Sequence, residues 1–205
     1  MRKNLIFIIL LLSFASRLLG RGEFALRLCV VPDLKEGILD LLWIKIDQLW
    51  HQGKYGKIFP LFYLLSRLEP ENPQTWSTGA WFLMKGIAWK LPQEEKERIL
   101  QYGMDFLKEG IKYNPEDYQI YWEIAWIYYE RNQYDTALEY LEKAERFPHP
   151  FFVESLKGHI YIKKGEKEKA KKVWRLIKEK FPEVKDLAEK FLRELGDDSG
   201  RNNKD

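Results

Sequence analysis

Through most of the chain, apolar residues recur three and four positions apart, the spacing of one face of an α-helix. The stretch YWEIAWIYYERNQYDTALEYLEKAERFP, from Tyr121 to Pro148, reads as two such helices parted at Asn132. GKYGKIFPLFYLLSRLEP, ending at Pro70, and GEKEKAKKVWRLIKEKFP, ending at Pro182, follow the same plan. Each has a Gly or Asn at a turn, an apolar or small residue five later, a large apolar residue four beyond that, and a closing proline. Gly53, Asn132 and Gly165 follow helical runs and are expected to take the left-handed conformation that ends them. The prolines are expected to stop one helix pair and open the next. EVKDLAEKFLREL carries Val184, Leu187, Ala188, Phe191, Leu192 and Leu195 on one stripe, which suits a terminal capping helix.

The closing prolines mark a repeat. Pro148 and Pro182 lie 34 residues apart and Pro115 and Pro148 lie 33 apart, whereas Pro70 and Pro115 are 45 apart. The extra length falls in MKGIAWKLPQEEKERILQY, residues 84–102. Gln93, Glu94 and Glu95 after Pro92 make a good first helical turn. The second unit is therefore expected to have a lengthened first helix, a break near Leu91 and Pro92, and a long second helix to about Tyr113.

With these residues in register, the chain resembles the tetratricopeptide-repeat family, whose unit runs W-x2-L-G-x2-Y, then A-x3-F, then P, over a 34-residue helix–turn–helix. The third unit supplies Tyr121, Ile124, Ala125, Tyr128, Ala137, Leu141, Ala144 and Pro148. The fourth supplies Gly158, Tyr161, Gly165, Ala170, Trp174 and Pro182. The second has Trp76, Gly79, Ala80 and Leu83 before its insertion. In the first, Gly53, Tyr55, Phe62 and Pro70 fit, but Ile46 and Ile58 stand where the pattern wants small residues. The resemblance implies an all-α, right-handed solenoid of about four helix pairs with a C-terminal cap. Its units fall at about 39–72, 73–117, 118–150 and 151–183, with the cap at 184–195. The stack supplies the core that one pair alone cannot bury. Small residues such as Gly79, Ala80, Ala125, Ala137, Gly158 and Ala170 let paired helices approach closely.

Trp76, Leu83, Tyr121, Ile124, Tyr128 and Tyr161 are then expected in the core. The other face of the first helices carries Trp43, Asp47, Trp50 and His51, then Ser77, Trp81, Met84 and Lys85. It continues with Gln119, Trp122, Trp126 and Tyr129, and with Phe152, Ser155, His159 and Ile162. Family members that hold peptides usually do so in the concave groove on this face, so the resemblance implies a partner-binding surface there. Its candidate contacts are Trp43, Trp50, Trp81, Trp122, Trp126, Tyr129, Phe152 and His159. Aromatic side chains are the usual energetic anchors of interfaces. Three occupants stay open: a partner's apolar segment, the chain's own residues Arg21–Gly37 or tryptophans meeting across a tight curl, and a small apolar ligand.

Composition narrows the chemistry. Seven of the eight tryptophans lie between Trp43 and Trp126, and the net charge is only +3, so nothing demands a nucleic-acid partner. Ten Lys/Arg stand against three Glu between Lys157 and Lys180, a run expected to be a solvated face. The single Cys29 excludes an intramolecular disulfide and a multi-thiolate metal site. It is read as a buried thiol. His51, His149 and His159 fall in different units, and no HExxH, GxSxG, P-loop or GxGxxG pattern is present. The expectation is a non-enzymatic protein with no cofactor and no metal.

The start of the chain bears on location. Met-Arg-Lys-Asn precedes LIFIILLLSFA, a positive region and an apolar run of secretory length, with Ser13-Phe14-Ala15 as a cleavage site. Residues 1–20 read as a signal peptide or, with Arg17 snorkelling, as a membrane anchor; either leaves the rest outside the cytoplasm. The bland alternative is a buried N-terminal helix. Residues 21–38 form a leader or short helix, and the tail 196–205 has nothing to bury and is expected to be disordered. The leading functional expectation is a scaffold of the cell envelope that binds an apolar or aromatic-rich segment of a partner protein. The second is a structural subunit of an envelope secretion or pilus assembly, its groove filled by its own leader and its basic helices outward. The oligomeric state stays open.

Overall fold

The computed structural model describes residues 32–197. The expected export segment, Cys29 and the tail beyond 197 lie outside them. The protein is all-α, with nine α-helices among the described residues. They are α1 (Pro32–His51), α2 (Phe59–Leu68), α3 (Pro73–Trp81), α4 (Gln93–Tyr113), α5 (Tyr118–Glu130), α6 (Tyr134–Ala144), α7 (Phe151–Lys163), α8 (Lys167–Lys180) and α9 (Lys185–Glu194). No helix among the described residues is long and apolar enough to cross a membrane. The chain divides into two compact units, with the boundary at Leu100–Gln101 inside α4.

In the first unit, α1 begins at Pro32. The expected leader is thereby split: its last residues belong to α1, and 21–31 lie outside the described residues. Ile38, Ile46, Leu49, Ile58, Phe62, Leu65 and Trp76 are buried, so the two isoleucines at small-residue positions are themselves core. Asn72 caps α3 by accepting from the Gln74 N–H at 3.0 Å, and Pro73, whose missing N–H costs nothing there, opens the helix. The helical path continues beyond Trp81 as a π-helical turn (Phe82–Ile87) and a 3-10 turn (Ala88–Lys90). It stops at Leu91, which is extended (φ −100°, ψ 153°), as the residue before a proline prefers. The wider π turn rotates the residues beyond it. Met84, read from sequence as a groove-face residue, is buried, as is Ser77.

In the second unit, α5 pairs with α6 and α7 with α8, and α9 packs on α8. Ala125, Ala137, Leu141, Ala144, Val153, Leu156 and Ile160 share one buried cluster. Ala170, Val173, Trp174, Ile177, Ala188 and Leu192 share another. The three expected left-handed residues are left-handed: Gly53 (φ 67°), Asn132 (φ 57°) and Gly165 (φ 73°). Each ends its helix with the same pair of bonds, seen at Asn132 as Asn132 N–H to Tyr129 C=O and Gln133 N–H to Tyr128 C=O, both 2.9 Å. This is the Schellman arrangement, and it satisfies carbonyls that the helix end would leave open.

The tightest approach is at Gly158. A Cβ there would lie 2.9 Å from Trp174 Nε1 and 3.0 Å from its Cε2. Trp174 is fully buried and stacked on Phe191 of α9, with ring centroids 4.1 Å apart and planes 14° apart. It cannot swing away without disturbing the cap. Gly158→Ala is therefore expected to lower stability by about 1–2 kcal/mol, because overpacking outweighs the helix-propensity gain. Adding Trp174→Phe to that variant should recover part of the loss, and chemical denaturation of both reads the difference.

Candidate functional site

The aromatics of α5 divide into two sets. Asp117 caps the helix by accepting from the Gln119 N–H at 2.8 Å, which sets where the first turn begins. Tyr121 stacks with Phe147 (6.1 Å, 17°) and Tyr128 with Tyr140 (5.6 Å, 22°), so both pack on the α6 side. Trp122, Trp126 and Tyr129 succeed one another at steps of four and three along another face. They form a continuous row with Phe152 of α7: Phe152–Trp122 4.9 Å, Trp122–Trp126 5.6 Å and Trp126–Tyr129 5.5 Å between centroids. All four side chains are half-buried and rest against the Ala125–Ala137–Leu141 core. The Trp122 Nε1–H is buried and has no hydrogen-bond partner. The row is therefore anchored on the core along its inner edge and open to solvent along its outer one.

His159 lies apart from that row. Its ring meets Trp174 at 5.3 Å and Phe191 at 5.0 Å, both edge-on. Burial, with the charge of Lys163 adding to it, holds its pKa below the ordinary 6.5.

The first-unit candidates gather around a second aromatic cluster. Trp43 meets the fully buried Phe62 edge-on at 5.5 Å. Trp50 touches Tyr55 (4.9 Å), Trp81 (5.7 Å) and Phe82 (4.8 Å) and lies close over Gly86, where a Cβ would meet it at 3.0 Å. Trp43 and Trp50 thus tie α1 to the elements packed beside it. Trp81 keeps 44% of its surface exposed. It stands five residues after Trp76, as Trp126 stands five after Tyr121. His51 and Asp47 are exposed and paired with each other at 3.3 Å.

A polar group that the sequence pattern did not single out sits at the start of the fourth repeat. In the second repeat, Trp76 Nε1–H donates to the Pro70 carbonyl at 2.8 Å, and in the third, Tyr121 O–H donates to the Pro115 carbonyl at 2.9 Å. The residue six after Pro148 is Glu154, and it is buried. In place of an aromatic tied to a proline, this carboxylate lies 3.3 Å from His149 Nε2 and 3.4 Å from Lys180 Nζ. His149 Nδ1–H donates to the Phe147 carbonyl at 2.6 Å. Beside them Lys157 pairs with Glu145 at 2.7 Å. Burial raises the Glu145 pKa against the opposing hydrogen bond from Lys157, and Glu154 adds to the rise. The signal that would have found this site is the proline-plus-six position itself.

The basic run on α7 and α8 is largely neutralised within the fold. Lys164 pairs with Asp135 and Glu166, Lys169 with Glu166, Lys171 with Glu168, Arg175 with Asp197 and Lys178 with Glu189. Lys157 and Lys180 are engaged as described above.

Known proteins supply an independent comparison. The sequence model for the tetratricopeptide repeat matches residues 118–147 and 155–175, which take in α5 with α6 and most of α7 with the first part of α8. The second match begins just after Glu154. Among solved structures, the chain is similar to a thermophilic tetratricopeptide-repeat protein of Thermus thermophilus, with a TM-score of 0.58 and 18% identity over 89% of this chain and 94% of that one. No curated protein sequence matches the chain.

His159, against Trp174 and Phe191, gives the fold a signed pH response. Its folded-state pKa is depressed, so its contribution to stability is present above about pH 6.5 and is lost as pH falls through the folded-state value. In thermal melts between about pH 7.5 and about pH 5, His159→Phe should lose less melting temperature on acidification than the wild type. Parallel loss in the two proteins would refute the assignment.

Proposed function

We propose that this chain, whose residues 118–147 and 155–175 match the tetratricopeptide-repeat model, acts as a non-enzymatic scaffold, holding an apolar or aromatic-rich segment of a partner protein against Trp122, Trp126, Tyr129 and Phe152. Such repeats commonly bind protein partners. The observation that carries the reading is the unbroken row of four half-buried rings on the first helices of two successive pairs. Flat side chains already fixed by the core lose little entropy on binding, and a row of them favours an elongated apolar segment over a charged one.

The scaffold works outside the cytoplasm, a reading supported by the positive start and apolar run of residues 1–15. The alternative, a structural subunit working through its basic helices, draws little support from α7 and α8, where the cations are mostly engaged by internal acids.

An aromatic-rich peptide selected by display on the full chain provides the test. Trp126→Ala should weaken that peptide at least about 30-fold, the loss expected for a central aromatic anchor. Tyr102→Ala, at an exposed ring elsewhere, should leave its affinity unchanged, and added salt should change it little. Unaltered affinity in Trp126→Ala alongside a lowered melting temperature would make the ring core and sink the proposal.

A further inference from the structure

We propose that the joint before the fourth repeat works as a proton-operated exchange of partners. Glu154 takes its hydrogen bond from the Lys180 ammonium at neutral pH and from the His149 imidazolium in acid, which releases Lys180 into water. The His149 and Glu154 side chains keep only 3% and 6% of their surfaces exposed, so neither can turn to water for a partner. A carbonyl only accepts, so the 2.6 Å contact with the Phe147 carbonyl places a hydrogen on His149 Nδ1. Nε2 is then the atom at which the ring gains or loses a proton. It lies 3.3 Å from Glu154 Oε1 and 3.2 Å from Lys180 Nζ, and Lys180 Nζ is itself 3.4 Å from that oxygen.

This triangle has one consistent set of hydrogens in each protonation state. With the ring neutral, Nε2 and Oε1 both present lone pairs, and the ammonium, with three donors, supplies them both. With Nε2 protonated, the ring donates directly to Oε1 and the ammonium faces a second cation at close range, which disfavours both. The neighbours decide which group leaves. On α7, Lys157 holds both oxygens of Glu145, just beyond α6, at 3.0 and 2.7 Å, with Tyr161 also acting on it. Glu145 and Lys157 each feel the charge of Glu154. The turn after α8 adds only the uncharged Phe181 ring, 6.4 Å from His149. While the ring is neutral, the two acids therefore stand against two ammonium groups, and an imidazolium is one cation too many. His149 is enclosed and Lys157 is held by Glu145, whereas the Lys180 side chain is 45% exposed. Lys180 is the group that leaves, and its departure cuts the side-chain tie between the last turn of α8 and the first turn of α7.

Nitrogen NMR of the full chain in nonionic detergent, labelled at histidine, reads the ring atom by atom, with the other rings assigned through His51→Gln and His159→Phe. Between about pH 8 and about pH 5, His149 Nε2 should pass from bare acceptor to protonated while Nδ1 keeps its hydrogen. Lys180→Met removes the competing cation, so Nε2 should take its proton at a pH about 1 unit higher than in wild type; Glu154→Gln removes the acceptor and should move uptake about 1 unit the other way. Lys180 is partly exposed, so its variant decides the matter even where Glu154→Gln fails to fold. The release itself is read at Phe181, whose N–H donates to the Ile177 carbonyl at 2.9 Å. Corrected for intrinsic pH dependence, its hydrogen exchange should speed at least about threefold over the same range in wild type. It should not do so in His149→Asn, whose amide has a donor for the Phe147 carbonyl and takes up no proton. An Nε2 that stays bare or stays protonated throughout overturns the proposal. So does uptake at an unchanged pH in Lys180→Met, or Phe181 exchange that responds equally in wild type and His149→Asn.

Discussion

Two helices approach closely only where neither carries bulk at the crossing, and the second unit is organised by that requirement. Ala125, Ala137, Ala144, Gly158 and Ala170 hold the close-packed positions, and at Gly158 even a methyl group would strike Trp174. With the pair interface reserved for small residues, the large aromatics of α5 have two places left. Tyr121 and Tyr128 fill the flank toward α6, while Trp122, Trp126 and Tyr129 fall on the face shared with Phe152. The accessible row thus results from how tightly the pair must pack.

The joints between repeats obey a second rule. After two of the closing prolines, Pro70 and Pro115, the aromatic six residues on returns a hydrogen bond to the proline's carbonyl, through Trp76 and through Tyr121. The donor ties the incoming helix to the turn before it and satisfies a carbonyl of that turn. Where the aromatic is absent, a buried acid takes its place, with the His149 ring and the Lys180 ammonium beside it. Burying a charge this way costs desolvation that the partners must offset, so the fourth joint is held by electrostatics where the third is held by a neutral bond.

Much of this was legible in the sequence because it depends on local rules. The left-handed residues at Gly53, Asn132 and Gly165, the break at Leu91 and the paired helices all come from turn chemistry and apolar spacing. The features that escaped depend on tertiary context. The start of α1 at Pro32 was hidden because Pro-Asp reads equally well as a loop or as a first helical turn. The π turn at Phe82–Ile87 has no composition of its own, and Met84 within it is buried. The separation of His159 from the tryptophan row depends on α9 bringing Phe191 over Trp174. Helical spacing assigns a face, whereas the elements that meet that face decide whether a side chain is displayed or enclosed.

Repeat arrays are usually thought of as interchangeable modules that can be duplicated, deleted or shuffled without penalty. The fourth module departs from that ideal. Glu154 is met by His149, from the turn before its helix, and by Lys180, at the end of the helix after it, so its polar partners come together only in this setting. A copy inserted elsewhere would keep Lys180 but leave behind His149, which belongs to the preceding unit, and deletion would leave His149 facing no acid. Such a residue ties the fourth unit to the turn that precedes it, so the two are matched as neighbours and are not freely exchangeable.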